Sequence, residues 1–389
     1  MKENFIKKLK ELQINYKENE VLAPYTTLNI GGPAEIFVEC HDNNQFIEII
    51  KAAQENSIDI TLLGGGSNVL ISDAGIKGVV IRLCTENIEI LSKENGIGKK
   101  KVDVSKIPDL TARWESDKKK GTFKVEFSDL DYDETDLYRV DVLIDAGVNL
   151  AKAREYLFSE GITGLQWYAG IPGTVGGAVF NNIHGGTHFI SEVLKEVKVI
   201  DTEGHINVLR IDELGVDYDK SRFHHSGEII LQATFSLFKG DVERARQVAY
   251  EWARRKREVQ PYNSPGCTYA NITQEQKVEK DYPTTSVGYI VEHILNLTDF
   301  RVGGAKVSAK HHNFIENAGD ATAADFLAVM KEIYRRTKEI TGITLVPEII
   351  LLGFEPDEIK EFTQEEQEDL RKIRNKEIKT VYKKKNNSL

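Results

Sequence analysis

Three consecutive glycines, Gly64-Gly65-Gly66, followed by Ser67 and Asn68, stand between two apolar runs, ITLL and VLIS. A glycine turn that joins strand to strand excludes the two commonest phosphate loops. It lacks the G-x-G-x-x-G spacing that opens a Rossmann helix, and it lacks the Lys-Ser/Thr of a Walker loop. Glycine lets successive backbone N–H groups converge on one anion, and Ser67 and Asn68 add side-chain donors, so a pyrophosphate suits this nest. Alone, GGGSN reads first as a tight strand connection. A second glycine-rich loop shifts that balance: Gly170-Ile171-Pro172-Gly173-Thr174-Val175-Gly176-Gly177 also lets backbone approach a flat or phosphorylated ligand. Two such loops favour a large dinucleotide.

The surrounding text is α/β. AEIFVEC reads as a strand, and Phe46, Ile49, Ile50 and Ala53 recur at helical spacing before IDITLL. After VDVLIDAGV, Asn149 is placed to cap a helix through Leu157 that stops at Gly161. VLKEVKVID, TEGHINVLR and EIILQATFSLF alternate as antiparallel strands to about Phe238. An Arg-rich helix follows from Val242 to Glu258. A further helix is expected around Tyr289 to Leu295, and a long one from Thr322 to Thr341, with Thr322-x-x-Asp325 as a capping box and Gly342 as its stop. EIILLGF closes the fold. Lysine triplets and an acidic run mark about 91–138 as an insertion, and a shorter one is expected at about 272–286.

At 389 residues the chain has room for two or three domains. The expected division is 1–84 and 85–238 as two subdomains, 239–346 as a third, 347–355 as the closing strand and 356–389 as a charged helical tail. A net charge of −10 argues against nucleic acid as a general partner. The basic cluster from Arg371 to Lys385 lies in that tail and reads as a solvated segment. Cys40, Cys84 and Cys267 show neither disulfide nor zinc spacing, so no metal is expected and a reducing cytoplasm fits. Without an apolar leader or a run of ~18 apolar residues, neither export by a cleaved signal nor a membrane partner is expected.

Five segments stand in order, APYTTLNIGGPAE, LLGGGSNVLISDAGIKGVVI, GLQWYAGIPGTVGGAV, RVGGAKVSAKHHNFIENAGDATAAD and GITLVPEIILLG, and together they resemble a known family, the UDP-N-acetylenolpyruvoylglucosamine reductases, also called UDP-N-acetylmuramate dehydrogenases. They run from Ala23 to Gly353, with the spacing of the family's shorter subtype plus insertions. The resemblance implies a vanillyl-alcohol-oxidase-like FAD-binding fold, of class α+β / α/β: two α/β subdomains and a C-terminal α+β substrate domain. It implies FAD as cofactor and NADPH as cosubstrate, reducing UDP-N-acetylglucosamine enolpyruvate to UDP-N-acetylmuramate for peptidoglycan. The partner is thus a small UDP-sugar enolpyruvyl ether.

Carried over by motif, Tyr25, Thr26, Thr27, Ile30, Gly64, Gly65, Gly66, Ser67, Asn68, Gly170, Ile171, Pro172, Gly173, Val175, Gly176 and Gly177 would hold the flavin. Asn271, Arg301, Lys306 and Lys310 would hold substrate. Hydride addition at C3 leaves charge at C2 and its carboxylate, which demands a proton donor and a stabilising group. The family's donor falls on Cys267, whose thiol is mainly protonated at pH 7; its glutamate falls on Glu348. The family's Tyr-Arg-x-Ser-x-Phe meets Tyr218-Asp219-Lys220-Ser221-Arg222-Phe223, so Asp219 stands where an arginine is usual. Arg222 is the expected replacement, since its planar fork suits a carboxylate, with Lys220 as the alternative. Asn181 to Thr187 also departs from the family text, leaving His184 and His188 without assigned roles. These departures motivate two other readings: a flavin oxidoreductase with another hydroxy-acid or sugar substrate, and a flavin-binding protein without turnover. No nicotinamide fingerprint is readable, and the oligomeric state is open.

Overall fold

The computed structural model describes residues 1–91, 130–135 and 137–362. Most of the expected insertion at 91–138, most of the charged tail and its whole basic cluster lie outside the described residues. The chain forms two compact units, Met1–Asn15, Val38–Gly65 and Ile81–Arg257 in the first, and Tyr16–Phe37, Gly66–Val80 and Glu258–Leu389 in the second. The strands are β1 (Lys17–Val21), β2 (Pro33–Cys40), β3 (Ile60–Leu63), β4 (Val69–Ile71), β5 (Ile76–Leu83), β6 (Ile88–Ile90) and β7 (Arg139–Asp145). They continue with β8 (His184–Gly185), β9 (His188–Phe189), β10 (Leu194–Ile200), β11 (Ile206–Arg210) and β12 (Ile229–Phe238). Last come β13 (Arg301–Val302), β14 (Ala305–Val307), β15 (Ile315–Asn317) and β16 (Ile350–Leu352).

In the first unit, five strands pair antiparallel in the order β11-β10-β12-β7-β6. Alternation in VLKEVKVI and IILQATFSLF places Val197, Val199, Ala233, Phe235 and Leu237 on one buried face. That face packs on the helices Leu150–Ser159 and Val175–Phe180 through Leu150, Ala153, Leu157, Val175 and Val179. Asn149 caps the first of these helices as expected, accepting from Lys152 N at 3.1 Å. Thr174 caps the second, accepting from Gly177 N.

The second unit has its own core around the helix Ala323–Thr341, where Phe326, Val329, Met330 and Ile333 meet Tyr269, Val291, Val307 and Ile315. Thr322 and Asp325 form the expected capping box, and Gly342 ends the helix in the left-handed region at φ 74°. β13, β14 and β15 make a small antiparallel sheet. The closing strand β16 pairs parallel with β4, Ile350 opposite Val69 and Leu352 opposite Ile71. The helix expected near Tyr289 to Leu295 takes a wider path, an α-helical start at Val287–Tyr289 running into a π-helical turn at Ile290–Ile294.

Candidate active site

Within the first unit the two glycine loops meet. A side chain on Gly65 would put its Cβ 2.6 Å from the Cα of Gly173, and one on Gly64 would sit 2.8 Å from Thr174 Oγ1. Glycine is required there because two backbones touch. Gly176 N donates to Ala146 O and Val175 N to Val148 O, which fixes the second loop against the end of β7. The peptide N–H groups of Gly64, Gly65 and Gly66 donate to no described residue. Three successive unpartnered donors are the chemistry a pyrophosphate needs, so these residues fit a flavin dinucleotide.

In the second unit Gly66, at φ 59°, is pressed on Tyr25 and Thr26, and any Cβ would collide with the Tyr25 carbonyl. Thr27 N donates to Gly66 O at 3.0 Å, and Thr27 Oγ1 donates to Ser264 O at 2.9 Å. This ties the Tyr25–Thr27 segment to the loop that leads to Cys267. Ile30 is buried in the core of this unit, so its contribution to any ligand is through packing.

Cys267 and Glu348 are brought together by backbone. Glu348 N donates to Thr268 O at 2.9 Å, and Ala270 N donates to Val346 O at 2.9 Å. Asn68 joins them, its Nδ2 donating to Glu348 O at 3.3 Å while Ile350 N donates to Asn68 O. Cys267 is partly exposed, and a Cβ on its neighbour Gly266 would meet nothing within 4 Å. The Thr268 hydroxyl is buried without a hydrogen-bond partner.

The expected substrate residues are less concentrated. Asn271 Oδ1 accepts from Val287 N at 3.4 Å. Arg301 and Lys306 face each other across β13 and β14, but Lys306 pairs with Glu316 at 3.1 Å. Lys310 reaches over the Tyr262 ring at 6.0 Å.

The 217–224 region differs from its expected use. Arg222 Nε lies 2.9 Å from Glu228 Oε2, and Nη1 donates to Glu213 O at 3.1 Å, so the guanidinium is already engaged. Asp219 instead pairs with His184, Nδ1 to Oδ1 3.2 Å. His188 stacks on Trp167 at 3.9 Å and bridges Asp131 and Glu192. Burial alone would lower its pKa, but the two carboxylates win and raise it. Sequence reasoning marked His184, His188 and Asp219 as departures yet missed that two of them pair, because they lie 35 residues apart. It also missed Lys256, whose stem packs on Gly170.

Two glycine loops that meet beside an antiparallel sheet fit a flavin-binding oxidoreductase. A family model described as FAD binding domain matches residues 34–97 and 115–210, and one described as UDP-N-acetylenolpyruvoylglucosamine reductase, C-terminal domain, matches 259–352. A UDP-N-acetylenolpyruvoylglucosamine reductase of Lachnoclostridium phytofermentans is 31% identical over 340 residues, covering 86% of this chain and 92% of that one. Its counterpart in Clostridium botulinum strain Alaska E43 is 31% identical over 346 residues, 88% and 94% of the two chains. The chain belongs to the UDP-N-acetylenolpyruvoylglucosamine reductase family. A solved reductase from Thermus caldophilus shares the fold, with TM-score 0.60 and 24% identity over 87% of this chain and 98% of that one.

Proposed function

We propose that this chain reduces the enolpyruvyl ether of UDP-N-acetylglucosamine to UDP-N-acetylmuramate, with NADPH as reductant and FAD as cofactor, in the cytoplasmic supply of peptidoglycan precursors. FAD, when bound, supplies hydride transfer from NADPH to C3 of the enolpyruvyl group. The residues that would hold it are Gly64, Gly65 and the 170–177 loop of the first unit, and Gly66, Ser67, Asn68, Tyr25, Thr26, Thr27 and Ile30 of the second.

What remains for the chain is to manage charge and one proton. As C3 gains hydride, the double-bond electrons move to C2 and onto the carboxylate. The Cys267 thiol gives its proton to C2, becomes a thiolate and recovers a proton from water. Glu348, held beside it by the Thr268 carbonyl, steadies the enolic acid. Arg301, Lys306, Lys310 and Asn271 would take the diphosphate and sugar. Arg222 could serve the carboxylate only by leaving Glu228.

The observation that carries this reading is the backbone linkage of the Cys267 turn, Glu348 and Asn68 in one unit. Its test is anaerobic. The flavin of the purified protein is bleached with NADPH, and UDP-N-acetylglucosamine enolpyruvate is added. Oxidised absorbance should return within seconds. A reduced flavin that stays reduced with this substrate would defeat the assignment.

A further inference from the structure

We propose that Thr298, His312 and Glu292, all in the second unit, act as nucleophile, general base and orienting carboxylate in a second activity, the transfer of the acyl group of a small activated ester to water. This activity goes beyond the reduction assigned above, which uses none of the three residues.

Local backbone builds the group. The π-helical turn at Ile290–Ile294 carries Glu292, and the chain then folds back on it, Leu295 N donating to Ile290 O at 2.9 Å and Leu297 N to Val291 O at 3.0 Å. Leu295 and Leu297 are buried in the unit's core, and Thr298 follows as an exposed residue. His312 comes after β14. Ser308 N donates to Phe314 O and Phe314 N to His311 O, both at 2.9 Å, so residues 308–314 close into a loop. Asn313 fastens that loop, its Nδ2 donating to Tyr269 O at 2.6 Å while Thr268 N donates to Asn313 O at 2.7 Å. Two segments separated by β13 and β14 therefore present Thr298 and His312 to each other from backbone that is already tied down.

The side chains stand in the order that nucleophilic catalysis requires. His312 Nε2 lies 2.9 Å from Thr298 Oγ1, and His312 Nδ1 lies 3.2 Å from Glu292 Oε2. A carboxylate at Nδ1 holds the ring proton there, which leaves the Nε2 lone pair to accept the threonine O–H. The His312 side chain is only 10% exposed, whereas Thr298 is open to solvent, so the base is sheltered and the hydroxyl accessible. Glu292 Oε2 is also 3.6 Å from Nε2 of the exposed His293, a longer contact than the one to His312. The nucleophile's own loop can supply donors to an oxyanion: among the described residues, the peptide N–H groups of Thr298 and Asp299 donate to no acceptor. The Asp299 carboxylate, which would oppose such an anion, has Lys306 Nζ 3.9 Å away.

The reaction balances with water as its only co-reactant. Thr298 Oγ attacks the ester carbonyl carbon while His312 Nε2 takes the hydroxyl proton, and Glu292 steadies the imidazolium that forms. Collapse of the tetrahedral anion breaks the bond to the leaving alcohol, which takes its proton from His312. Water then attacks the acyl-threonine by the same route, releasing the free acid and restoring Thr298. Because the hydroxyl is exposed, recognition rests on the acyl carbonyl itself, and the substrate class is small acyl esters of acidic alcohols.

The test uses the full-length, FAD-loaded protein with p-nitrophenyl acetate as the probe. The parent should release p-nitrophenolate in an initial burst of about one per chain, and peptide mapping after an acid quench should find the acetyl group on Thr298. Once the spontaneous rate is subtracted, Thr298→Val and His312→Gln should each slow release roughly 100-fold, and Glu292→Gln about tenfold. Thr298→Ser should stay within about threefold of the parent, since the hydroxyl survives. Flavin reoxidation by UDP-N-acetylglucosamine enolpyruvate should stay within about twofold in Thr298→Val, so loss of the ester reaction is read apart from loss of the fold or of the reduction. Should His312→Gln prove unstable, Thr298→Val, at an exposed position, decides alone. Acetyl found only on lysines or on Cys267, or release by Thr298→Val within about twofold of the parent, would overturn the proposal and leave the three residues as a structural hydrogen-bond chain.

Discussion

Lys256 is the residue whose environment is least comfortable. Its Nζ is buried with no hydrogen-bond partner, its stem lies on Gly170, and the neighbouring Arg154 is itself buried and paired with Glu155. Burial, and secondarily the Arg154 charge, pull its pKa down to about 7. The unfolded chain holds this proton up to about pH 10.4. Between pH 7 and 10 the unfolded state therefore binds more protons, and stability rises with pH across that window. Below pH 7 the folded state must bury a charge, and Lys256 costs on the order of 3–5 kcal/mol. Lys256→Met should be more stable than the parent by urea denaturation at pH 7, with the difference shrinking by pH 10. Equal stabilities at both values would mean that the ammonium is hydrated. None of this is legible in ARRKREV, where Lys256 is one of four cations in a helical run. Only the fold shows which of them lies over a glycine. The same holds for His184 and Asp219, each visible as a departure but joined only by the turn at 217–220.

Elements were far more legible than their partners. The periodicity of Phe46, Ile49, Ile50 and Ala53 gives the helix Asn43–Glu55, and the local caps Asn149 and Thr322 stand where short-range chemistry places them. What local chemistry cannot reveal is a cap supplied from far away. Asp73, just after β4, accepts from Ala323 N at 2.8 Å and Ala324 N at 2.9 Å, satisfying two donors that the Thr322 hydroxyl leaves open. The carboxylate also faces the positive end of the helix. Asp73→Ala should cost about 1–2 kcal/mol in chemical denaturation, and Asp73→Asn rather less. A loss within 0.3 kcal/mol or so would show that water replaces the cap. The parallel pairing of β16 with β4 was hidden for the same reason, since the apolar run EIILLGF announces a strand but not its neighbour.

At the scale of the whole molecule, the proposed flavin site draws on two glycine-rich loops, Gly64–Gly66 and Gly170–Gly177. Among the described residues, the N–H groups of Gly64, Gly65 and Gly66 have no partner, and Gly173 and Thr174 of the second loop stand against Gly64 and Gly65. Unsatisfied donors and close backbone approach weaken the protein that lacks its cofactor, whereas the unfolded chain has no such cradle and gains nothing from FAD. Binding to the native state alone adds RT ln(1 + [L]/Kd), about 4 kcal/mol when free FAD stands at 1,000 times Kd. Removing the flavin by dialysis against high bromide should lower Tm by several degrees, and adding FAD back should restore it in a concentration-dependent way. Hydrogen exchange locates the effect. The amides of Gly64–Gly66 should exchange freely in the stripped protein and become protected when FAD returns, while β10 and β12, in the middle of their sheet, should change little. Identical melting with and without FAD, together with unchanged exchange at those three glycines, would place the flavin elsewhere and remove the physical reason for both loops.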